Sequence, residues 1–213
     1  MNPPTHLVEI STPVKSEPIY TPPYYNDLTA TLNHAWACLT RGSADRRSPF
    51  HAPVVATIGL DGTPQQRTLI LRKVDVASRT LRFFTDTRSA KIAEWRQNPR
   101  VSVLTYSASD KIQLRLSGSV RCETDSALAD NCWANLRETA RAGYAQNDAP
   151  GVAISTPDAD SPVSALINVA RDNFCLIHVD VDSLDWVFLS SHGNRRAQFS
   201  WPEGVLNTQW LAP

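Results

Sequence analysis

The apolar positions along the chain switch between two periods, and the switches mark out the elements. Leu28, Leu32, Ala35, Trp36 and Leu39 recur at helical spacing behind Asn26 and Asp27, either of which is a fair N-cap. The pattern predicts an amphipathic helix ending near Arg41, with Gly42 as its stop. Val54 to Ile58 and Arg67 to Arg72 read as strands joined through Leu60-Asp61-Gly62-Thr63-Pro64, where Asp-Gly suits a tight hairpin turn. Thr80 to Thr85 is a third strand, and Ser89 to Arg96 carries helical spacing through Ile92 and Trp95 until Asn98-Pro99. Val101 to Tyr106 and Ile112 to Cys122 alternate as two further strands, and Asp125 to Arg141 returns to helical character, with alanines and few breakers. Residues 145–163, rich in Asp, Pro and Gly, read as a long loop. Phe174 to Val179, Ser183 to Leu189, and a last stretch through Gln198, Phe199 and Trp210 complete a strand-rich C-terminal half.

Many short strands with helices at only a few connections predict a mainly β, α+β protein. The expected form is an antiparallel barrel with peripheral helices, not a doubly wound sheet. Prolines at positions 3, 4, 13, 18, 22 and 23 remove amide donors and disfavour helix before them, so residues 1–25 are expected as an extended arm and 26–213 as a single domain. With 213 residues the chain is long enough to bury a core without staples. Lys+Arg and Asp+Glu both number 21, which gives no reason to expect nucleic acid as a partner. Cys38, Cys122, Cys132 and Cys175 form no C-x-x-C pair, so no metal knuckle or redox dithiol is expected. The first 18 residues have no basic cluster followed by an apolar run, and no apolar stretch approaches the roughly 20 residues of a membrane span. A cytoplasmic protein without a membrane partner is the expectation.

The chemistry concentrates in Arg67-Thr68-Leu69-Ile70-Leu71-Arg72 and Phe83-Phe84-Thr85-Asp86-Thr87-Arg88-Ser89-Ala90-Lys91. On a regular strand Arg67 and Arg72 point to opposite faces. Thr85 ends a strand, Ser89 opens a helix and Lys91 lies in its first turn, so hydroxyls, unpaired N–H groups and a cation converge as an anion site. A lysine there opposes the helix dipole unless an anion such as a phosphate offsets it. Taken singly, each residue also has a plainer reading: Arg67 and Arg72 as cross-strand ion-pair partners, Lys91 and Gln113 as surface positions, and Trp186 and His178 as core or structural residues. No G-x-G-x-x-G, G-x-x-x-x-G-K-[ST], G-x-S-x-G or H-E-x-x-H occurs, so any site must be assembled across strands.

The segments RTLILR and FFTDTRSAK, Gln113 in IQLRLSG, Trp186 followed ten residues later by Arg196, and the closing Leu211-Ala212-Pro213 resemble the pyridoxamine 5′-phosphate oxidase family. The resemblance covers roughly residues 50–213 and is strongest over 53–118. It implies an FMN-binding split β-barrel acting as a homodimer, with FMN at the interface. It also implies an oxidoreductase working on a small molecule by hydride transfer at flavin N5. Carried over by position, the cofactor-binding residues are Arg67, Thr68, Leu69, Arg72, Thr85, Ser89, Lys91, Gln113, Trp186 and Arg196. Arg67 and Lys91 suit a phosphate as fork and point charge, and Gln113 suits the flavin's pyrimidine edge as both donor and acceptor. The chain departs from the family where Ser-Arg-Lys becomes Ser89-Ala90-Lys91, with an arginine at Arg88 instead. It departs again where R-x-H-x-R becomes His192-Gly193-Asn194-Arg195-Arg196. Arg137 and His192 are then the candidates for substrate binding. Two other readings stand beside this one: a flavin-binding protein that stores, senses or is stabilised by FMN without turnover, and a module binding another phosphate.

Overall fold

The computed structural model describes residues 21–155, 170–191 and 193–213. Its first helix, α1 (Leu28–Ala44), is capped by Asp27, whose carboxylate accepts from the Ala30 N–H at 2.7 Å. It runs past the stop that Gly42 predicts. Gly42 lies inside the last turn because the chain folds back onto it: a Cβ there would meet the Phe50 carbonyl oxygen at 2.6 Å. This glycine permits a close approach and does not end the helix. Ahead of α1, Tyr24 stacks on His34 with ring centroids 3.8 Å apart, and the Tyr25 hydroxyl donates to the Gly193 carbonyl at 3.0 Å. The last residues of the expected arm thus pack on the core; residues 1–20 lie outside the described residues.

Among the described residues, nine strands make one antiparallel sheet: β1 (Val54–Ile58), β2 (Pro64–Thr68), β3 (Lys73–Asp75), β4 (Thr80–Asp86), β5 (Arg100–Ser107), β6 (Ile112–Glu123), β7 (Phe174–Phe188), β8 (Arg195–Ser200) and β9 (Asn207–Leu211). Their order is β2-β1-β5-β6-β7-β4-β3, with β8 also pairing β7, and β9 pairing β8. One edge of β7 carries β6 along its length. The other is divided between β4, opposite residues 174–180, and β8, opposite 183–188. The pattern of two strands separated near residue 181 is replaced by a single 15-residue β7, which takes up the irregularity as a bulge at Asp182, opposite Ser117 and Gly118 of β6.

The predicted strand 67–72 is also redrawn. Its ladder ends at Thr68, after which the Leu69 and Leu71 N–H groups donate to Pro53 and His51 carbonyls, and the Arg72 N–H donates to Arg82. Leu71 is buried by this excursion, and Arg67 and Arg72 no longer belong to one strand. The helical stretch 125–141 divides into α3 (Ala127–Ala134) and α4 (Glu138–Arg141), since the Asn135 side chain caps the Asn131 carbonyl and Arg137 is extended. Between β4 and β5 lies α2 (Ala90–Gln97).

Inward residues alternating along the strands, among them Val55, Phe83, Val103, Leu114, Leu116 and Ile177, form the main core, closed by Trp36 and Leu39 of α1. A smaller cluster of Phe174, Leu176 and Ala129 lies under α3. Gly118 is the tightest point of the sheet: a Cβ would meet the Asp180 carbonyl oxygen at 2.2 Å. Gly118→Ala should therefore destabilise the protein by about 3 kcal/mol, through forced separation of β6 and β7. Gly143→Ala, with nothing within 4 Å of its Cβ, serves as the neutral control in denaturant unfolding.

Candidate functional site

Where β4 hands over to α2, the chain builds a cationic pocket from its own turn. Ser89 stands at the N-cap position with extended backbone, but its hydroxyl does not cap the helix; it donates back to the Asp86 carbonyl at 2.7 Å. That leaves its oxygen facing the Lys91 ammonium, which donates to Ser89 Oγ at 2.9 Å and to Thr85 Oγ1 at 3.0 Å. Thr85 and Ser89 are both buried. Among the described residues, no carboxylate lies within ion-pair distance of Lys91. Burial first, and the neighbouring charge of Arg67 second, hold its pKa below the ordinary lysine value.

Arg67 approaches from β2. Its guanidinium donates to Thr57 Oγ1 at 2.5 Å and to Glu94 Oε2 at 3.0 Å, and the Thr57 hydroxyl donates to the same carboxylate oxygen. Glu94 is buried on α2, one turn beyond Lys91. The pocket thus holds two cations on one side and a single buried carboxylate behind them. Sequence reasoning missed Glu94 and Thr57. The i, i+3 spacing of Lys91 and Glu94 was the available signal, and cross-strand Thr57 had none. The donor set suits a phosphate: an ammonium without a carboxylate, a guanidinium and the Thr85 hydroxyl in a partly desolvated turn.

The other residues assigned by resemblance lie elsewhere. Arg88 is not a displaced pocket cation. It grips Asp86 through Nε at 3.0 Å and Nη2 at 2.8 Å, and donates to the Gln146 and Asn147 carbonyls. Leu69 spends its N–H on Pro53. Thr68, Gln113 and Arg196 project from the outer face of the sheet. Gln113 and Arg196 share a row through Val187, while Thr68 pairs with Val54. Arg196 is bound to Asp185 through Nε at 3.0 Å and Nη2 at 2.7 Å, and Arg115 joins the same carboxylate at 2.9 Å. Trp186 is wholly buried in the core beside Tyr24 and Phe188, and its Nε1–H has no acceptor among the described residues. Within one protomer, therefore, Arg67, Thr85, Ser89 and Lys91 come together, whereas Gln113, Trp186 and Arg196 do not join them.

Arg72 belongs to a second pocket. Its guanidinium lies over the Phe84 ring at 5.3 Å and lines, with Arg46, Arg137, Asn135 and Thr139, a cavity of about 350 Å3. Burial, with Arg46 adding to it, lowers the Arg72 pKa against the pull of Tyr144. Three arginines and no carboxylate line this cavity, so it also favours an anion. Arg46 carried no signal in the sequence. His192 lies outside the described residues. Among the described residues no His, Cys, Asp and Glu group has a metal-binding arrangement, and no helix is long and apolar enough to cross a membrane.

Residues 33–124 match the family model "Pyridoxamine 5′-phosphate oxidase, FMN-binding domain". A pyridoxine/pyridoxamine 5′-phosphate oxidase of Thermosynechococcus vestitus is 31% identical over 46% of this chain and 51% of its own length. The corresponding protein 2 of Arabidopsis thaliana is 25% identical over 78% of this chain and 87% of its own. The chain thus spans about half the length of the first of these relatives and most of the second. Among solved structures, a pyridoxamine 5′-phosphate oxidase-related FMN-binding protein from Nostoc punctiforme superposes with a TM-score of 0.64 at 24% identity, covering 91% of this chain and 98% of that one. PhzG from Burkholderia lata, solved with tetrahydrophenazine-1-carboxylic acid, gives a TM-score of 0.70 at 19% identity, with the same coverage of each chain. The fold is the FMN-binding split barrel, and FMN is the cofactor of the matched domain. Residues 33–124 of the chain thus resemble the FMN-binding domain of the pyridoxamine 5′-phosphate oxidase family.

Glu94 is the stability determinant of the pocket. Glu94→Ala leaves Arg67 and Thr57 without their shared acceptor in a mostly buried setting, and should cost roughly 2–4 kcal/mol in denaturant unfolding. Arg67→Met in the same background should recover part of that loss, which makes the double variant the check that the cost comes from an unpaired cation.

Proposed function

We propose that the chain is an FMN-dependent oxidoreductase that exchanges a hydride with a small anionic substrate of the pyridoxamine 5′-phosphate kind. The observation that carries this reading is the partly buried Lys91 ammonium, held by two hydroxyls beside Arg67 with no carboxylate of its own. In this reading Arg67, Lys91, Thr85 and Ser89 hold the cofactor phosphate. FMN supplies the electron chemistry, accepting or donating a hydride at N5. The chain's own task is to bind, orient and exclude water, and no side-chain acid or base is required. Thr68, Gln113 and Arg196 on the outer face are then offered to the cofactor of a second subunit, which favours a homodimer; exposed Leu104 and Tyr106 lie on the same face. Arg46, Arg72 and Arg137 receive the substrate's anionic group, so Arg72 serves the substrate pocket in place of the cofactor phosphate. Relatives named as oxidases favour turnover over storage or sensing.

Arg67→Ala with Lys91→Ala should weaken FMN by about 3–6 kcal/mol, two charge-assisted contacts at roughly 1.5–3 each. Unchanged flavin affinity, by fluorescence titration, would remove the phosphate assignment. The Lys91 pKa is lowered in the free protein and a phosphate favours its charged form, so binding takes up protons. FMN affinity is therefore full below the Lys91 pKa and falls as pH rises through it, earlier than an ordinary exposed lysine would dictate. The Kd measured from about pH 7 to 10, with Lys91→Arg as the flat control, tests the sign.

Anaerobic mixing of the flavin-loaded protein with pyridoxamine and pyridoxine 5′-phosphates tests the reaction itself, through loss of the oxidised flavin band. Arg137→Gln should raise KM roughly tenfold or more, with less change in kcat, as expected for a residue that holds the substrate equally before and during reaction. A flavin that no phosphorylated amine or alcohol bleaches would return the non-catalytic reading.

A further inference from the structure

A row of basic side chains crosses four strands on the side of the sheet away from the main core. Lys73 of β3 pairs with Arg82 of β4, Arg82 with His178 of β7, and His178 with Arg121 of β6. Their strand neighbours Val74, Leu81, Phe83, Ile177, Val179 and Val120 face the core, so these four side chains emerge on the opposite surface. Residues directly opposite in a sheet stand roughly 5 Å apart at Cβ, a spacing at which like charges repel. With Asp75, Ser78 and Thr80 the four line a cavity of about 160 Å3. It shares no lining residue with the Arg46–Arg72–Arg137 cavity.

Carboxylates answer only half of the row. Arg121 is gripped by Asp180 at 2.5 and 3.0 Å, and Asp180 also accepts from the Thr80 hydroxyl. His178 Nε2 lies 2.8 Å from Glu123 Oε2. Asp75 is turned to the Ser78 N–H at 3.1 Å, and reaches Lys73 only through the longer-range field. Lys73 and Arg82 have no ion-pair partner among the described residues, and Arg82 Nε is buried without an acceptor. A buried N–H left in this way costs most of its hydration, and native structures ordinarily supply an acceptor.

We propose that this row is a second anion site, which takes the phosphate group of a small phosphorylated metabolite or inorganic phosphate itself. A tetrahedral oxyanion offers acceptors to the Arg82 guanidinium and the Lys73 ammonium at once, the two cations that lack an ion pair. The cavity has room for about five waters at roughly 30 Å3 each, which admits a phosphate group and leaves any organic remainder in solvent. The site is independent of the flavin reading: Arg67 pairs with core-facing Val55 on the other side of the sheet.

The test uses FMN-loaded protein in chloride at constant ionic strength. It follows the His178 ring resonances, identified through His178→Gln, while inorganic phosphate is added. A saturable shift is expected. Lys73→Gln, at an exposed position that leaves the fold untouched, and Lys73→Gln/Arg82→Gln should weaken it in steps of roughly tenfold. Arg137→Gln should leave it unchanged. Tighter saturation by glycerol 3-phosphate than by phosphate would identify a monoester as the ligand, and equal affinities the free anion. A shift that chloride reproduces, that survives in Lys73→Gln/Arg82→Gln, or that disappears in Arg137→Gln would overturn the proposal.

Discussion

The structure depends on the divided edge of β7. One strand carries β6 on one side, and on the other passes from β4 to β8 midway along its length. This hand-over divides the sheet between two sets of partners, and it relies on Gly118, where only a hydrogen fits against the Asp180 carbonyl. Both sets of chemically interesting residues follow from it. The β4 lobe turns into α2 and creates the Lys91 pocket, while the β8 lobe holds Arg196 on the far surface.

Charge is allotted economically around that frame. Arg88, Arg115, Arg121 and Arg196 are each matched to an aspartate, and Arg67 to Glu94. Among the described residues, the cations without an ion pair include Lys91, the Arg46–Arg72–Arg137 group, and Lys73 with Arg82. The last two sets each line a concavity. In a chain of zero formal charge, such a local positive excess favours anions at these positions.

The alternation of Val54–Ile58, Thr80–Thr85 and Arg100–Ser107, and the Asp61-Gly62 turn, made most of the strands legible from sequence, because period and turn chemistry are local properties. The convergence of Thr85, Ser89 and Lys91 was legible for the same reason: strand end, turn and first helical turn are contiguous. What depended on distant segments was not. Gly42 looked like a helix stop because Phe50, which needs it, lies beyond the helix. The ladder's early end at Thr68 reflects carbonyls of His51 and Pro53 that the strand's own sequence does not mention. Arg88 looked like a relocated ligand because its acceptors, at 146 and 147, lie in a segment without regular pattern. Glu94 gave no sign of being buried, since its partners come from β1 and β2.

The β4–β7 ladder also sets the order in which the protein can be made. Its register joins Thr80 to Asp180 and Asp86 to Phe174, so β4 waits for a partner synthesised some ninety to a hundred residues later. During translation, the strand that leads into the Lys91 turn keeps its β7-side edge unpaired while β5, β6 and the helices after them emerge. A ladder of such long sequence separation closes slowly, and an open edge invites pairing with other chains. The short β3, which ends in Asp75 and opens with Lys73, pairs with the other edge of β4, so that in the interval β4 is exposed along one edge instead of two.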